Sequence, residues 1–156
     1  MLKINTYLDR SNLSGVGLFA AEDIQRGRIV WEFNPAVDLV FTAEQWETLL
    51  SGVAAPARDT LRRYSYKSNN LLYLCTDNAQ FMNHCDETKN VGNNASDDTM
   101  YALRDINAGE ELLCDYFEFS DADDYHLSRI PPPGSLSMIR PRRKRRVAQR
   151  RTATGL

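Results

Sequence analysis

Short apolar runs, separated by clusters of turn residues, fill the first 120 residues of the chain. Runs of this kind that are rich in β-branched and aromatic residues are typical of strands. We therefore predict strands at residues 2–9, 18–21, 29–33, 37–41, 71–74, 79–82 and 99–103, and we expect residues 111–119 to end the folded body. The pattern indicates a mainly β fold of many short strands.

One region departs from this strand pattern and indicates a small helical insertion at about residues 42–63. Thr42 is placed to cap a helix that runs through Leu50, and Gln45 stands where a capping-box partner is expected. Pro56 favours the start of a second helix. Because helices and strands do not alternate, Gly15-Val16-Gly17 is a weak signal for a dinucleotide-binding fold.

Turn chemistry and composition divide the chain into three parts. Residues 23–27 and 105–109 read as tight turns, and the Asp/Asn/Gly-rich residues 86–98 read as a loop. Ser120 is placed to cap a short acidic helix at 121–129, and the proline run that begins at Pro131 is a stiff break. We expect a domain at 1–120, a linker with a short acidic helix at 121–139, and a basic, disordered tail at 140–156.

Composition is that of an ordinary globular protein, with 42% hydrophobic and 26% charged residues. No apolar run approaches the roughly 18 residues that span a membrane, and the N-terminus lacks the apolar core of a signal peptide. We therefore expect a cytoplasmic or nuclear protein with no membrane partner. The oligomeric state does not follow from the sequence.

The net charge of −2 conceals a strong asymmetry. Residues 140–156 contain eight of the 19 basic residues and no acidic residue, which leaves 11 basic and 21 acidic residues in the rest of the chain. An acidic body suits a basic protein or peptide partner. Plain solubility explains the same charge equally well.

The three cysteines are widely spaced and form no CxxC pair, so a disulfide framework is not expected. A zinc site built from Cys75, His84, Cys85 and Cys114 is conceivable, but the adjacent residues 84 and 85 would point apart on a strand. Small buried thiols and no metal are the favoured interpretation.

Two polar pairs, Asn83-His84 and Asp115-Tyr116, lie inside runs that otherwise look buried. Burial of amide, imidazole, carboxylate and phenol groups costs free energy unless each finds a partner. Two such pairs within a short stretch of chain predict a built site.

Three segments carry a resemblance to a known family: GVGLFAAEDIQRG at residues 15–27, FMNHCD at 81–86, and RDINAGEEL at 104–112 with the following Asp115-Tyr116. In this order and spacing they resemble the SET domain, the fold of most S-adenosylmethionine-dependent protein-lysine methyltransferases. The resemblance covers about residues 3–119. It implies short strands in several small sheets and a C-terminal pseudoknot that brings residues 81–85 and 112–116 together.

The resemblance also implies S-adenosylmethionine as cofactor and methylation of lysine in a basic, histone-like protein. Tyr116 matches the family's catalytic tyrosine. The residues implied in cofactor binding are Gly15, Val16, Gly17, Leu18, Asn83, His84, Tyr116 and Phe119. Three alternatives stay open: Asn83-His84 is a buried polar knot, Tyr116 is an ordinary core tyrosine, or the chain is an inactive SET-like module that binds basic peptides.

Three positions depart from the family's pattern. The usual Asn-His-Ser-Cys-x-Pro-Asn run reads NHCDETKN at residues 83–90, where Asn90 takes the closing position. Cys114 stands where the family commonly has Tyr or Phe, which implies a roomier lysine channel and a product beyond monomethyl-lysine. The aromatic wall of that channel is missing after the Asn-His motif, and its candidates are Tyr64, Tyr66, Tyr73 and Tyr101, of which we select Tyr73.

Two further sets of residues keep more than one interpretation. Phe117 and Phe119 either cover the adenine or pack in the core. The residues 140–151 suit nuclear import, nucleic-acid binding or a solvated tail, and Lys144 among arginines also resembles a basic substrate of the chain's own channel.

Overall fold

The computed structural model describes residues 1–94 and 98–130, and within them ten short strands and two helices occur. The strands are β1 (Thr6–Arg10), β2 (Val16–Ala20), β3 (Ile29–Glu32), β4 (Leu39–Thr42), β5 (Ser65–Ser68), β6 (Leu71–Leu74), β7 (Asn83–His84), β8 (Val91–Asn94), β9 (Thr99–Ala102) and β10 (Leu113–Cys114). The helices are α1 (Ala43–Ser51) and α2 (Ala55–Tyr64). Residues 131–156, which include the predicted tail, lie outside the described residues.

The strands form four small sheets. β1 pairs with β2, and two three-stranded antiparallel sheets have the orders β3-β9-β8 and β4-β6-β5. The fourth sheet is the parallel pair of β7 and β10, in which Asn83 faces Leu113 and His84 faces Cys114. This is the mainly β architecture in several small sheets that the sequence predicts.

The core lies between β2, the β3-β9-β8 sheet and the C-terminal segment. Leu18, Val30, Ile106 and Leu112 are essentially inaccessible to solvent. The turn before Arg28 is possible because Gly27 takes a φ of +82°, a left-handed conformation that disfavours residues with a Cβ. Burial of these branched side chains supplies the main stabilisation.

The helical insertion forms as predicted. The Thr42 side chain accepts from the Gln45 amide while the Gln45 side chain accepts from the Thr42 amide, so α1 begins with a complete capping box. Its apolar stripe buries Trp46 and Leu50. α2 carries Pro56 in its first turn. Neither helix in the described part of the chain has the length and apolar character that a membrane crossing needs.

The C-terminal segment interlocks with the loop at residues 85–90. The Cys85 amide donates to the Cys114 carbonyl (2.9 Å), and the Asn90 amide donates to the Leu113 carbonyl (3.1 Å). Both ends of the loop therefore hold the same short strand. Asn90 also donates through Nδ2 to the Glu111 carbonyl (2.8 Å) and accepts the Leu113 amide at Oδ1 (2.9 Å). This is the interlocked arrangement expected of the fold.

Three secondary-structure assignments are corrected by the structure. The predicted strand at 79–82 is instead a 3-10 helix, Asn78–Phe81, because the Asp77 carboxylate accepts the Ala79 amide and begins a turn. The predicted loop at 86–98 contains β8, whose glycine and asparagines belong to no typical strand pattern. β5 was missed for the same reason, since its sequence SYKS is polar.

The acidic helix predicted at 121–129 is also wrong. Turns occupy the first part of this segment, and a 3-10 helix covers only Leu127–Arg129. The cause is that the Asp121 and Asp124 carboxylates accept backbone amides of the β5 region instead of capping a helix. The segment is thereby fastened along the edge of β5.

Candidate active site

Tyr116 lies where the two distant motifs meet. Its backbone amide donates to Nδ1 of His84 (3.1 Å), and its hydroxyl donates to the Met82 carbonyl (2.8 Å). Asp115 starts the 3-10 helix Tyr116–Glu118 by accepting the Phe117 amide (3.0 Å). The predicted juxtaposition of the Asn-His strand and the Asp-Tyr segment is therefore present, with the phenol oxygen against the residue that precedes Asn83.

The ionisation of the Tyr116 and His84 side chains follows from their burial. Burial raises the pKa of Tyr116, so its hydroxyl stays protonated and remains a donor. Burial also lowers the pKa of His84, although Asp115 opposes the shift. A neutral imidazole that accepts at Nδ1 carries its proton on Nε2. The His84 ring thus acts as an acceptor for the Tyr116 backbone.

A cleft with a volume of about 310 Å³ opens beside Tyr116. Cys114 and Tyr73, the two residues predicted for a substrate channel, both line it. Its other apolar and aromatic lining residues include Trp31, Phe33, Tyr64, Tyr66, Cys75, Met82, Met100 and Phe119. Tyr101 is not among the described lining residues, so the aromatic wall comes from three of the four tyrosines considered.

The aromatic rings of the cleft pack against one another. Tyr66 stacks on Tyr73 at 5.1 Å between ring centroids, and Phe119 meets the edge of Tyr66 at 5.2 Å. Tyr116 lies 5.9 Å from Phe119. Burial raises the pKa of Tyr66, so this wall is uncharged. Such a wall suits an aliphatic stem that ends in a cationic group.

The charged side chains in the lining are mainly acidic. Asp98, Glu118 and Asp121 line the cleft, whereas Arg63 is the one Lys or Arg side chain among the described lining residues. Two buried polar atoms in the lining, Nε1 of Trp31 and Oγ of Ser120, have no hydrogen-bond partner among the described residues. Unpaired buried polar groups of this kind are uncommon in folded proteins.

Asn83 lies outside the described lining of the cleft, in a corner that is rich in hydrogen-bond acceptors. Its Nδ2 donates to the Ser14 carbonyl (3.1 Å), the Val16 carbonyl (3.2 Å) and Oε1 of Glu111 (2.9 Å). Because all three neighbours are acceptors, the nitrogen is assigned to this side of the amide and the oxygen to the other. Glu111 was not expected to join the site. Its other oxygen accepts from Ser11 Oγ (3.1 Å).

The glycine segment lies against the same corner. Gly15 takes a φ of +54° with open space beside it, whereas a Cβ on Gly17 would stand 2.3 Å from Oε1 of Glu111. Gly17 therefore makes room for a protein carboxylate, and the close cofactor approach at Gly15 and Gly17 stays a prediction. Val16 is exposed, and Leu18 is a core side chain whose carbonyl accepts the Leu112 amide.

The acceptor-rich corner fits the amino-acid end of S-adenosylmethionine. An ammonium group has three donors and no acceptor. Nδ2 of Asn83 already binds the carbonyls of residues 14 and 16 and the Glu111 carboxylate, so Oδ1, on the other side of the amide, is the acceptor that Asn83 offers to such a group. The hydrogen-bonding groups around Asn83 are therefore compatible with the cofactor that the resemblance implies.

Asp115 anchors the C-terminal segment instead of pointing toward a substrate. Lys89 contacts Oδ2 of Asp115 (3.3 Å) and also pairs with Glu118. The hydrogen bond to Glu118 is the main cause that raises the pKa of Lys89. Lys89 lies in the stretch where the sequence departs from the family's usual run, and it ties the altered loop to the tyrosine segment.

The two phenylalanines after Tyr116 lie on different sides. Phe119, assigned from sequence to the cofactor, lines the cleft with Tyr66, whereas Phe117 packs against His84 at 5.6 Å. His126 was missed altogether: its ring lies 5.8 Å from that of Tyr116, and its Nε2 lies 3.0 Å from the Ser65 carbonyl. No local motif around His126 signals this position.

The cysteines remain separate thiols. All three are buried and unpaired by disulfides, and burial raises the pKa of Cys75 to about 12. Within residues 1–94 and 98–130 no three His, Cys, Asp or Glu side chains gather in a way that would hold a metal ion. The zinc set considered from sequence is therefore not assembled there.

Comparison with known proteins decides the family. A family model described as the SET domain matches residues 15–117, which include both polar pairs and the glycine segment. The chain belongs to the SET-domain family. No curated protein sequence matches this SET protein.

Solved structures share its fold. A Plasmodium falciparum candidate histone methyltransferase is 20% identical with a TM-score of 0.50, over 74% of this chain and 95% of the other. Polycomb Repressive Complex 2 of Chaetomium thermophilum, autoinhibited and bound to S-adenosylmethionine, is 21% identical with a TM-score of 0.57, over 83% of this chain. The SET protein spans only 17% of that longer chain. At these identities the likeness shows the fold alone.

Proposed function

We propose that this SET protein transfers the methyl group of S-adenosylmethionine to the side-chain amine of lysine in basic, histone-like proteins. Family membership and the likeness to histone methyltransferases support a methyltransferase in general. The observation that carries the lysine assignment is the aromatic, acid-lined cleft beside the Tyr116 hydroxyl, which lies 2.8 Å from the Met82 carbonyl.

S-adenosylmethionine would bind with its amino-acid end at the corner around Asn83. The oxygen of Asn83 would accept from the ammonium group, and the carbonyls of Ser14 and Val16 and the Glu111 carboxylate hold the amide through Nδ2. When bound, S-adenosylmethionine supplies an electrophilic methyl carbon on a sulfonium. The partly buried hydrogen bond from Asn83 to Glu111 keeps the Asn83 amide in one orientation, so the acceptor side is set before binding.

The side chain of the substrate lysine would bind in the cleft. A lysine amine attacks only when neutral, and its ordinary pKa of about 10.4 keeps it charged at neutral pH. Burial of the amine against the wall formed by the Tyr66, Tyr73 and Phe119 rings removes water and lowers that pKa. Because the Tyr116 proton is directed to the Met82 carbonyl, the phenol oxygen is free to accept an N–H of the amine and aim its lone pair.

A non-catalytic module that binds basic peptides is the second candidate. The acidic lining of the cleft favours it as much as it favours a substrate channel, and the bonds of His84 and Asn90 also have a purely structural use. The cofactor-compatible corner around Asn83 has no use in such a module. Activity and binding must therefore be measured together.

The test is transfer of label from methyl-labelled S-adenosylmethionine to a panel of basic proteins that includes histones. We expect Tyr116→Phe to lower the rate by roughly 100-fold, the effect of one positioned hydrogen-bonding group, and Asn83→Ala to weaken cofactor binding in calorimetry. Tyr101→Phe is the matched control, since Tyr101 lies outside the described lining of the cleft. Absence of label on every protein, together with absence of cofactor binding, would leave the binding module.

A further inference from the structure

We propose that the cleft has an occupant within the same chain: the arginine-rich segment at residues 140–151, with Lys144 as a self-methylation site and competitor of other substrates. The methylation part of this proposal rests on the proposed function. The docking part is independent of it.

The described chain ends close to the cleft. Phe119, Ser120, Asp121 and His126 all line it, and the description stops at Ile130. Fourteen positions separate Ile130 from Lys144, and a chain of that length reaches at most about 46–50 Å. A domain of this size has a radius of gyration of about 14 Å. Lys144 is thus within reach of the cleft from the point where the described chain ends.

Charge complementarity favours this occupant. The segment and the residues after it carry eight basic residues and no acidic one, whereas the remaining chain has 11 basic and 21 acidic residues. The charge at the cleft has the same sign, because Asp98, Glu118 and Asp121 outnumber Arg63 and Lys89, the ion-pair partner of Glu118.

Lys144 is set apart from the other three lysines of the sequence. Lys3 pairs with Glu32 (2.6 Å), Lys67 pairs with Asp123 (2.6 Å), and Lys89 pairs with Asp115 and Glu118. None of these three lysines is among the described residues that line the cleft. A lysine between arginines, as in residues 142–146, meets the acidic cleft without such a competing partner in its immediate sequence.

The chemical step is the one proposed for other substrates. The neutral Lys144 amine forms a bond to the methyl carbon while the carbon–sulfur bond breaks and leaves its electron pair on sulfur. The nitrogen then releases its extra proton to water. S-adenosylmethionine is the only co-reactant, and it leaves as the thioether S-adenosylhomocysteine.

The first experiment measures self-labelling of the full chain with methyl-labelled S-adenosylmethionine. We expect mass spectrometry to find the label on Lys144, and we expect Lys144→Arg to remove at least nine-tenths of it. Lys3→Arg is the matched control and should keep the label. If the segment reaches its own cleft, the fraction of chains labelled per minute stays constant over a tenfold dilution.

The second experiment needs no cofactor. Fluorescence anisotropy measures how a labelled peptide with the sequence of residues 140–151 binds the full chain. A tethered segment has an effective concentration of the order of 1 mM and competes with the peptide. Arg143→Gln/Arg145→Gln should therefore tighten peptide binding at least tenfold. The matched variant Arg10→Gln/Arg26→Gln removes two charges away from the described cleft lining and should leave binding unchanged.

The outcomes separate the two proposals. Methylation of other basic proteins, with no label on Lys144 and equal peptide affinity in both double variants, overturns the inference and keeps the proposed function. Absence of all methyl transfer with a tenfold difference in peptide affinity overturns the proposed function and keeps the docked segment. If Arg143→Gln/Arg145→Gln lowers only the affinity for DNA, the segment is a nucleic-acid-binding arm and the inference is overturned.

Discussion

Cys114 controls how much room the cleft has beside Tyr116, because its side chain lines the cleft and is almost fully buried. A thiol is much smaller than a phenol, so we expect the native protein to add more than one methyl group. Cys114→Tyr should shift the product to monomethyl-lysine, at a packing cost of about 1–3 kcal/mol. Cys85→Ala, at a buried cysteine outside the described lining, is the control. Mass spectrometry of wild-type product under excess cofactor refutes the prediction if only monomethyl-lysine appears.

Asn90 holds the interlocked segment with its side chain. It is 2% exposed, and its amide group serves the Glu111 carbonyl and the Leu113 amide. Asn90→Ala leaves these two backbone groups unpaired in the interior, at about 1–3 kcal/mol each. We expect urea unfolding to show a loss of about 3 kcal/mol in the free energy of unfolding. The exposed Asn12→Ala should stay within about 0.5 kcal/mol, and an equally small effect of Asn90→Ala would contradict the assigned role.

His84 makes stability depend on pH in a defined direction. Burial lowers its pKa below the ordinary 6.5, so the unfolded chain binds more protons than the folded one in that interval. The His84 contribution is therefore complete above pH 6.5 and is lost as pH falls through the lower folded value. An NMR titration of the imidazole should give a midpoint below 6.5. The chain has two histidines, and His126→Gln assigns the signals. A midpoint at or above 6.5 would show that the Nδ1 hydrogen bond is not maintained.

At the scale of elements, local chemistry predicts more than composition does. The capping box of Thr42 and Gln45 located α1, and the turn at Gly27 located the start of β3. These signals act within a few residues, so a sequence contains them. β5 and β8 are polar strands held by neighbouring strands, and their assignment depends on pairing partners that a single sequence does not reveal.

The segment after Phe119 is fastened to β5 by two carboxylates, and this attachment shapes one wall of the cleft. Asp124, 3% exposed, accepts the amides of Lys67 (2.6 Å) and His126 (2.7 Å). We expect Asp124→Ala to cost about 2 kcal/mol, to speed amide exchange at Lys67, and to raise the KM for a basic peptide more than it lowers kcat.

Asp123→Ala is the control for this attachment. Its side chain is 72% exposed and pairs only with the Lys67 ammonium among the described residues, so its loss should cost at most about 0.5 kcal/mol. Equal amide exchange in the two variants would show that the segment is held by other contacts.

At the scale of the molecule, the sequence motifs predict which residues meet but not the surroundings they share. Asn83, His84 and Tyr116 were recognised because buried polar pairs are costly and the family pattern repeats them. Glu111 and His126 were not assigned to the site, because each reaches it only through the interlocked chain and the β5 attachment. Those contacts join residues 28 and 61 positions apart, and no local pattern records them.

The acidic charge of the body is spread over the whole molecule, so its effect on a basic substrate is long-ranged and sensitive to salt. Excluding residues 140–156, the chain has 11 basic and 21 acidic residues. A rise in ionic strength from about 0.1 M to about 1 M shortens the Debye length from about 10 Å to about 3 Å. The encounter with a basic protein slows, whereas the buried bond between Tyr116 and the Met82 carbonyl is hardly screened.

We therefore expect the KM for a basic protein substrate to rise about tenfold over this range, while kcat stays within about twofold. Steady-state methylation kinetics measure both quantities, and an uncharged small osmolyte at equal osmotic strength is the control. A kcat that falls in parallel with 1/KM would place the salt effect inside the cleft, since only interactions made at the reacting groups change both. A KM that does not respond to salt would mean that the acidic surface serves solubility alone.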